Sequence, residues 1–363
     1  EEVLRNALEK TDIVLLTGGL GPTQDDMTKV IVAKVFDTKL CLDESCLEEI
    51  RSYFEARNRV MSENNIQQAM LPEGAVIFHN QAGTAPSFAI EKDGKCAVCF
   101  PGPPREMKWI FRHGVSDYLS KFIDQKIYYR IIRTIGIGES DLEMKLMPLI
   151  DGQTDPTIAT YAKEAECSFR IASRRDTLEE ARNAVNEMLE KVFPLVGEYI
   201  YSCDDEELNE VVVRKLKERG LTLSSAESCT AGLFAASITD VPGASKVYTR
   251  GYVTYDAAAK ISMVGVRPET IGKYSVVSRE TAREMAVGAM TQAGADLAVS
   301  VTGYAGPEAD EGRSVGEAWI GYAYRDVSGA VQILTGWNDR RWNRNFFRLR
   351  MLRAVNEILD REF

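Results

Sequence analysis

Short apolar runs alternate with amphipathic segments along most of this chain. Apolar runs at 12–16, 96–100, 221–226 and 297–301 predict strands, and the first has the composition of a parallel strand buried on both faces. Apolar residues at helical spacing predict helices at 1–10, 28–35, 43–57, 279–293 and 344–359. Strands that alternate with helices indicate an α/β fold, doubly wound in the first part of the chain.

Residues 125–203 follow a different pattern, with strands predicted at 127–134, 157–162 and 166–173 and helices at 139–149 and 178–192. This is an α+β segment with few candidate catalytic groups, so we interpret it as a connecting domain. Its arginines form either a weak basic face or, as we prefer, a solvated sheet edge; they are Arg130, Arg133, Arg170, Arg174 and Arg175.

From residue 204 the α/β pattern returns, with a helix at 204–219 and a strand at 221–226. A helix at 230–238, a strand at 247–255 and a helix that carries Lys260 come next, and strands at 315–324 and 331–335 precede the last helix. We therefore place three domains at 1–124, 125–203 and 204–363.

Length and charge narrow the functional class. The chain has 363 residues and a net charge of −10, which suits a multidomain globular protein and makes nucleic acid an improbable partner. It has no apolar run of 18 residues, so we expect no membrane span. We also see no signal peptide and therefore predict a cytoplasmic protein.

The cysteines and histidines of the chain give little support for a metal, redox or imidazole-based site. Seven scattered cysteines indicate free thiols in a reducing compartment. Cys96 and Cys99 form a CxxC, but their surroundings predict a buried strand rather than a metal or redox site. Because only two histidines occur, His79 and His113, a zinc site and a Ser-His-Asp triad are both disfavoured.

A glycine-rich loop follows the first predicted strand. Glycines between a strand and a helix let backbone N–H groups approach a phosphate, and two adjacent carboxylates favour a divalent cation such as Mg²⁺. The alternative is a tight turn with a helix cap. The predicted phosphate-binding residues are Gly18, Gly19, Gly21 and Thr23, and the predicted metal ligands are Asp25 and Asp26.

A second candidate site lies between residues 223 and 260. The change from strand to helix there predicts free backbone N–H groups beside Ser228, Cys229 and Thr230, a site for an anion or a developing oxyanion. Hydroxyls, the phenol of Tyr255 and one lysine gather without a histidine, so Lys260 is the natural general base. The alternative is that each residue is structural on its own, as a cap, a strand end or a surface lysine.

These segments resemble the CinA family, competence/damage-inducible protein A. The N-terminal resemblance rests on Thr17-Gly-Gly-Leu-Gly-Pro-Thr-Gln-Asp-Asp26, Gly83-Thr-Ala-Pro86 and Phe100-Pro-Gly-Pro-Pro-Arg-Glu-Met107. The C-terminal resemblance rests on Ala226-Glu-Ser-Cys-Thr230, Val241-Pro-Gly-Ala-Ser245, Tyr255 with Lys260, and Val301-Thr-Gly-Tyr-Ala-Gly-Pro307.

The resemblance implies an N-terminal molybdopterin-binding-like domain, which in some members hydrolyses ADP-ribose, a KH-like linker and a C-terminal nicotinamide-nucleotide amidase. It implies Ser245 as nucleophile with Lys260 and Tyr255, while Ser228 and Thr302 stabilise the oxyanion. The amidase needs no cofactor. The predicted substrate-binding residues are Cys229, Thr230, Gly303, Arg340 and Arg344. Arg340, Arg344 and also Arg341 are candidates to bind the phosphate of the substrate.

The chain departs from the family pattern in several places. The family's first strand and Gly-Thr-Glu turn have no counterpart before residue 1, so we expect an incomplete pyrophosphatase site. Ala231 replaces a usual glycine, Asp256 and Ala257 replace a Ser-Asn-like pair, and residues 308–310 replace a glycine-rich continuation. These differences bear on substrate fit and rate.

The position of Ser245 raises a geometric question. A straight strand from Ser245 to Tyr255 would cover about 30 Å. Either the chain bends near Gly251, or Ser245 serves Lys260 of a second copy in a homodimer, or Ser228 is the nucleophile.

Three functions follow as hypotheses. The first is hydrolysis of the carboxamide of nicotinamide mononucleotide. The second is a metal-dependent ADP-ribose pyrophosphatase, and the third is a non-catalytic pterin- or nucleotide-binding scaffold.

Overall fold

The structure, a computed structural model, describes residues 1–163, 166–310 and 312–361. The chain divides into two compact units, Glu1–Asp124 and Gln125–Phe363. The second unit contains both the α+β segment and the C-terminal α/β segment.

The first unit places helices on both faces of a four-stranded sheet. Its helices are α1 (Glu2–Lys10), α2 (Thr28–Val35), α3 (Glu44–Glu55), α4 (Pro104–Ile110) and α5 (Ser116–Ser120). Its strands are β1 (Ile13–Thr17), β2 (Leu40–Leu42), β3 (Met70–Pro72), β4 (Val76–Phe78), β5 (Ser87–Lys92) and β6 (Lys95–Phe100). Alternate residues of β6 enter different cores: Ala97 and Cys99 pack with the α1–α3 side, and Cys96 and Val98 with the α4–α5 side. This confirms the doubly wound prediction for the first domain.

The order of this sheet is β1-β6-β5-β4, in which β1 and β6 are parallel and the other pairs antiparallel. In this order β1 is an edge strand, and the side chain of Leu15 is 54% exposed. The prediction that this strand is buried on both faces is therefore wrong, because a run of apolar residues does not reveal which strand ends the sheet. The prediction of a buried strand for the CxxC holds, since Cys96 and Cys99 are buried free thiols in β6.

The α+β segment forms an antiparallel sheet with both helices packed against it. Its elements are β7 (Lys126–Thr134), α6 (Glu139–Ile150), β8 (Thr157–Lys163), β9 (Glu166–Arg175), α7 (Leu178–Val196) and β10 (Ile200–Ser202). The strand order is β10-β7-β9-β8. Ion pairs join Arg130 to Asp204, Arg133 to Asp205 and Arg175 to Asp155, so three of the five arginines are neutralised rather than free to form a basic face.

The C-terminal segment is built on a sheet of order β12-β11-β13-β14-β15. Its strands are β11 (Leu223–Glu227), β12 (Tyr248–Val253), β13 (Leu297–Gly303), β14 (Glu317–Tyr324) and β15 (Val327–Leu334). Its helices are α8 (Leu208–Arg219), α9 (Leu233–Thr239), α10 (Ala257–Val264), α11 (Pro268–Tyr274), α12 (Arg279–Ala293) and α13 (Arg340–Asp360). Because β11, β12 and β13 are parallel, their carboxyl ends meet at one edge, where ligands bind in open α/β sheets.

Two helix boundaries differ from those predicted in ways that matter for function. Helix α9 begins at Leu233 rather than at residue 230, after a turn in which Ala231 and Gly232 have positive φ. Helix α13 begins at Arg340, where the side chain of Asp339 accepts the N–H of Trp342. The arginines expected before this helix therefore lie on its first turns.

Candidate active site

Lys260 lies at the centre of the candidate site, on the first turns of α10. The side chain of Asp256 caps this helix by accepting the N–H of Ala259 at 2.6 Å. The Lys260 side chain is turned inward and only 1% exposed. Its ammonium Nζ lies 3.0 Å from Oγ of Ser228 and 2.8 Å from the carbonyl oxygen of Thr254. A lysine in this position contacts a hydroxyl while being withdrawn from water.

The environment of Lys260 favours its neutral form. Burial lowers the pKa of Lys260 to about 8, although Cys229 and Asp256 act in the opposite direction. Near neutral pH a usable fraction of the side chain is therefore an unprotonated amine.

Ser228 is the first residue after β11, and a turn places its hydroxyl beside Lys260. The N–H of Ser228 donates to the carbonyl of Val301 at 3.0 Å, and its carbonyl accepts the N–H of Ala231 at 3.1 Å. The change from strand to helix predicts free N–H groups at the start of the following helix. Instead, the carboxylate of Glu227 accepts the N–H groups of Gly232, Phe234 and Ala235, so that anion site is already filled by the protein.

Glu227 is not among the site residues predicted from the sequence, which are mainly hydroxyls, the lysine and arginines. The available signal was a carboxylate directly before a small-residue turn and a helix, an arrangement that favours capping of the helix start.

Tyr255 contributes to the site in a different way from that expected. Lys260 reaches its backbone carbonyl at 3.4 Å, whereas its phenol accepts a hydrogen bond from Nη2 of Arg340 at 3.1 Å. Arg340 also donates to the carbonyl of Gly306 at 2.6 Å. The phenol is thus part of the cavity wall together with a guanidinium, and its ring is largely exposed.

Thr302 and Gly303 come from the carboxyl end of β13 and line the same cavity. The hydroxyl of Thr302 donates to the carbonyl of Val276 at 2.8 Å, so its proton is engaged within the protein. The cavity has a volume of about 290 Å³ and is lined by Ser228, Cys229, Tyr255, Asp256, Ala257, Lys260, Val276, Val277, Thr302, Gly303, Tyr304, Ala305, Gly306, Glu308, Asp310 and Arg340.

The remaining predicted binding residues hold the Ser228 turn. Arg344 donates to the carbonyl oxygens of Cys229 and Thr230 at 3.0 and 2.8 Å, and the Thr230 hydroxyl donates to Glu227 at 2.7 Å. Burial raises the pKa of the Cys229 thiol to about 12, so it stays protonated. Arg344 is therefore bonded to the turn, whereas Arg340 lines the cavity itself.

Ser245 lies apart from this cluster within one chain. It is exposed in a 3-10 turn, Ala244–Lys246, that precedes β12, whereas Lys260 follows the other end of that strand. Strand β12 has an irregularity between Tyr248 and Arg250, but it stays paired in parallel with β11 up to Val253, so no bend near Gly251 brings Ser245 back to Lys260. Its six residues span roughly 17 Å. Two of the three alternatives for the nucleophile remain: Ser228, or Ser245 of a second copy.

The N-terminal glycine loop forms the turn expected after β1. Gly18 and Gly19 have positive φ, and the Thr28 hydroxyl donates to the carbonyl of Gly18 at 2.8 Å. A side chain at Gly21 would meet the carboxylate of Asp26 at 2.5 Å, which explains the glycine there. The loop packs tightly against its own following helix.

The carboxylate of Asp26 is engaged within this loop, where it accepts the N–H of Thr23 at 2.9 Å and the Thr23 hydroxyl. Burial raises the pKa of Asp26, but these hydrogen bonds outweigh that effect and leave it lower than usual. Among the described residues, no group of three or more His, Cys, Asp or Glu side chains is arranged to hold a metal ion. The two carboxylates do not by themselves make a cation site, and the cation at Asp25 and Asp26 stays a prediction.

The histidines lie in the first unit, where His79 contacts Glu49 and His113 contacts the carbonyl of Trp109. In the described part of the chain, no helix is long and apolar enough to cross a bilayer.

Comparison with protein families covers nearly the whole chain. Residues 1–121 match the "Probable molybdopterin binding domain", residues 129–202 match the "Damage-inducible protein CinA KH domain", and residues 205–359 match the "CinA C-terminal domain". The candidate cavity lies within the last of these.

Individual relatives match most of this chain. A competence-damage inducible protein of Caldicellulosiruptor saccharolyticus is 47% identical over 321 residues, which cover 88% of this chain and 78% of the relative. A CinA-like protein of Kosmotoga olearia is 42% identical over 340 residues, covering 93% of this chain and 82% of the relative. A crystal structure of a CinA superfamily protein from Klebsiella pneumoniae, 33% identical, matches 42% of this chain and 95% of its own with a TM-score of 0.41. The chain therefore belongs to the CinA family, with a molybdopterin-binding-like domain, a KH domain and a CinA C-terminal domain.

Proposed function

We propose that the C-terminal domain hydrolyses the carboxamide of nicotinamide mononucleotide to nicotinate mononucleotide and ammonia, with Ser228 as nucleophile and Lys260 as general base. The CinA C-terminal domain is associated with this amidase activity. The observation that carries the assignment of residues is the 3.0 Å contact between Nζ of Lys260 and Oγ of Ser228. A nucleophile and its base within hydrogen-bonding distance are the minimum for hydroxyl activation.

The reaction has two halves. Neutral Lys260 takes the proton of Ser228 as Oγ forms a bond to the carboxamide carbon, giving a tetrahedral oxyanion. Lys260 then gives the proton to the leaving nitrogen, the carbon–nitrogen bond breaks, and ammonia departs from an ester on Ser228. A water molecule loses its proton to Lys260, attacks the ester and releases the carboxylate while the proton returns to Ser228.

Arg340 is suited to the nucleotide part of the substrate. A guanidinium has five N–H donors in a fixed plane, and the contacts to Gly306 and Tyr255 use two of them. The guanidinium lines the cavity, so we assign the remaining donors to the phosphate of the substrate. Arg344 supports the same end of the site indirectly, since its donors hold the carbonyls of Cys229 and Thr230.

Separate alanine substitutions distinguish the two serines. Ser228→Ala is expected to remove nearly all ammonia release, whereas Ser245→Ala, at an exposed position before β12, is expected to retain most of it. Peptide mapping by mass spectrometry after rapid acid quenching should locate the nicotinate mononucleotide ester on Ser228.

The opposite pattern would move the nucleophile to Ser245. If Ser245→Ala is inactive, mixing it with Lys260→Ala subunits tests a shared site, because one interface would then regain both groups. Recovered activity after confirmed subunit exchange would contradict the assignment to Ser228 and support the homodimer expected from the sequence.

A further inference from the structure

Glu227, the last residue of β11, carries a carboxylate that is only 1% exposed and is surrounded by donors. One oxygen accepts the Thr230 hydroxyl at 2.7 Å and the N–H groups of Gly232 and Phe234 at 3.0 and 3.1 Å. The other accepts the N–H of Ala235 at 2.9 Å. Four hydrogen bonds to one buried side chain hold that side chain in place and fix the backbone that supplies them.

That backbone is the turn that follows Ser228. Ala231 and Gly232 both have positive φ, at 50° and 96°. A residue with a Cβ in this conformation costs about 1–2 kcal/mol relative to the usual backbone, so the turn needs external support. The Glu227 carboxylate supplies it by closing the turn onto the first N–H groups of α9.

A second connection runs from Glu227 to Lys260. The Glu227 carbonyl accepts a hydrogen bond from the N–H of Thr254 at 2.8 Å, and the Thr254 carbonyl accepts one from Nζ of Lys260 at 2.8 Å. Glu227 is therefore connected to both Ser228 and Lys260, whose side chains lie 3.0 Å apart. Ser228 is its neighbour in the chain, and Lys260 is connected to it through the backbone of Thr254.

We propose that Glu227 is the positioning residue of this amidase, holding the Ser228 hydroxyl in line with Lys260 without touching the substrate. The expected effect on turnover rests on the proposed function. The expected effect on the reactivity of the Ser228 hydroxyl does not, because it follows from the geometry of the turn alone.

The test is Glu227→Gln, which keeps the side-chain volume but replaces an acceptor oxygen by an amino group facing N–H donors. A displacement of about 1 Å at a nucleophile lowers turnover on the order of 10²-fold, so kcat for ammonia release should fall to that extent. KM should change by no more than about twofold, because no contact to the substrate is removed.

Glu284→Gln is the matched control. Glu284 on α12 is also mostly buried and accepts from Arg267 and Thr270, but it lies outside the cavity lining. Its substitution should lower thermal stability while kcat of the folded protein stays at the wild-type value. If Glu227→Gln behaves in the same way, its carboxylate is only a structural group and the inference is overturned.

Labelling of Ser228 by a fluorophosphonate separates this inference from the proposed function. The reagent forms a bond between Oγ and phosphorus, fluoride leaves, and the hydroxyl proton passes to Lys260, so no nucleotide is required. The labelling rate should fall in Glu227→Gln by the same factor as kcat. If wild-type protein labels at Ser228 but releases no ammonia from nicotinamide mononucleotide, the proposed function fails while the positioning role stands.

Thr230→Val provides a milder variant should Glu227→Gln not fold. It removes one of the four donors and retains the carboxylate, and Thr230 is fully buried and does not line the cavity. We expect a severalfold lower labelling rate in a folded protein. A wild-type labelling rate in Thr230→Val would contradict the role of this hydrogen-bond set.

Discussion

At the scale of single residues, the chemistry of Lys260 depends on where its ammonium is held. Burial lowers the pKa of this group to about 8, and its contacts with Ser228 and Thr254 fix its direction. A surface lysine would be protonated at neutral pH and could not accept the proton of an attacking hydroxyl.

This gives a pH dependence with a definite sign. The reactive form of Lys260 is the neutral amine, so kcat/KM should rise with pH through an apparent pKa near 8 and level off above it. A profile measured between about pH 6 and 10 on the stable protein checks this. A flat or falling profile across that range would be incompatible with lysine as the base.

Ala231 offers a residue-scale test of strain in the Ser228 turn. Its φ of 50° favours glycine, and a side chain there costs about 1–2 kcal/mol, partly offset by the greater flexibility of glycine in the unfolded chain. Ala231→Gly should therefore raise the free energy of unfolding by roughly 0.5–1 kcal/mol, measured by denaturant titration. A lower free energy of unfolding would show that the turn is unstrained.

Residue chemistry was predictable where it depends on composition and order. The absence of histidine near the hydroxyls singled out Lys260, and the structure does bring Lys260, Ser228, Tyr255 and Thr302 to one cavity. The hydrogen-bond partners of the site residues were not predictable. The Tyr255 phenol accepts a hydrogen bond from Arg340, and the Glu227 carboxylate accepts the N–H groups that were expected to bind an anion. Such pairings depend on angles within a turn, which spacing along the chain does not define.

At the scale of elements, the position of Lys260 depends on how closely α10 packs on α12. Gly288 lies within α12, and a Cβ at this position would fall 1.7 Å from the carbonyl oxygen of Val264, at the end of α10. Only glycine allows the two helices to approach this closely.

Gly288→Ala should therefore displace α10 and the lysine that it carries. Overpacking of this kind typically costs about 1–3 kcal/mol of unfolding free energy, and we expect a loss of kcat beyond any loss of folded protein. Gly272→Ala in α11 is the matched control, because its Cβ would have no neighbour within 4 Å. It should be neutral or stabilising by roughly 0.5–1 kcal/mol. Equal behaviour of the two variants would rule out the close approach as a determinant of the site.

Element prediction succeeded for long periodic segments and failed at short or edge elements. Helices such as α2 and α12 were predicted with their observed bounds, since apolar spacing marks both and Ser278 and Gly294 also cap α12. The short strand β10 and helix α11 were not recognised, and the start of α9 was placed three residues early. The start of α9 is determined by the cap that Glu227 provides, and the pattern of apolar residues gives no sign of this cap.

At the scale of the whole molecule, the KH and C-terminal domains share one compact unit. Arg133 of β7 pairs with Asp205 and Glu207, and its side chain is 8% exposed. These two ion pairs therefore connect the KH sheet to the segment that leads into α8.

Arg133→Ala should weaken that link by leaving two carboxylates without their shared partner. Because those carboxylates are half exposed, we expect a loss of about 1–2 kcal/mol rather than the larger value of a fully buried pair. Arg170→Ala, at an exposed position of the same sheet, should change the free energy of unfolding by less than about 0.5 kcal/mol. Calorimetry that shows the same unfolding temperature for both variants would mean that the ion pairs do not couple the domains.

Hydrolysis of nicotinamide mononucleotide yields two products that one assay can measure together. Purified protein is incubated with nicotinamide mononucleotide, and ammonia and nicotinate mononucleotide are both quantified, in parallel with Lys260→Ala of confirmed fold. We expect the wild-type protein to release the two products in equimolar amounts. In the variant the rate of ammonia release should fall on the order of 10²–10⁴-fold, because the general base is removed. Wild-type turnover by folded Lys260→Ala, or no ammonia from the wild-type protein, would contradict these expectations.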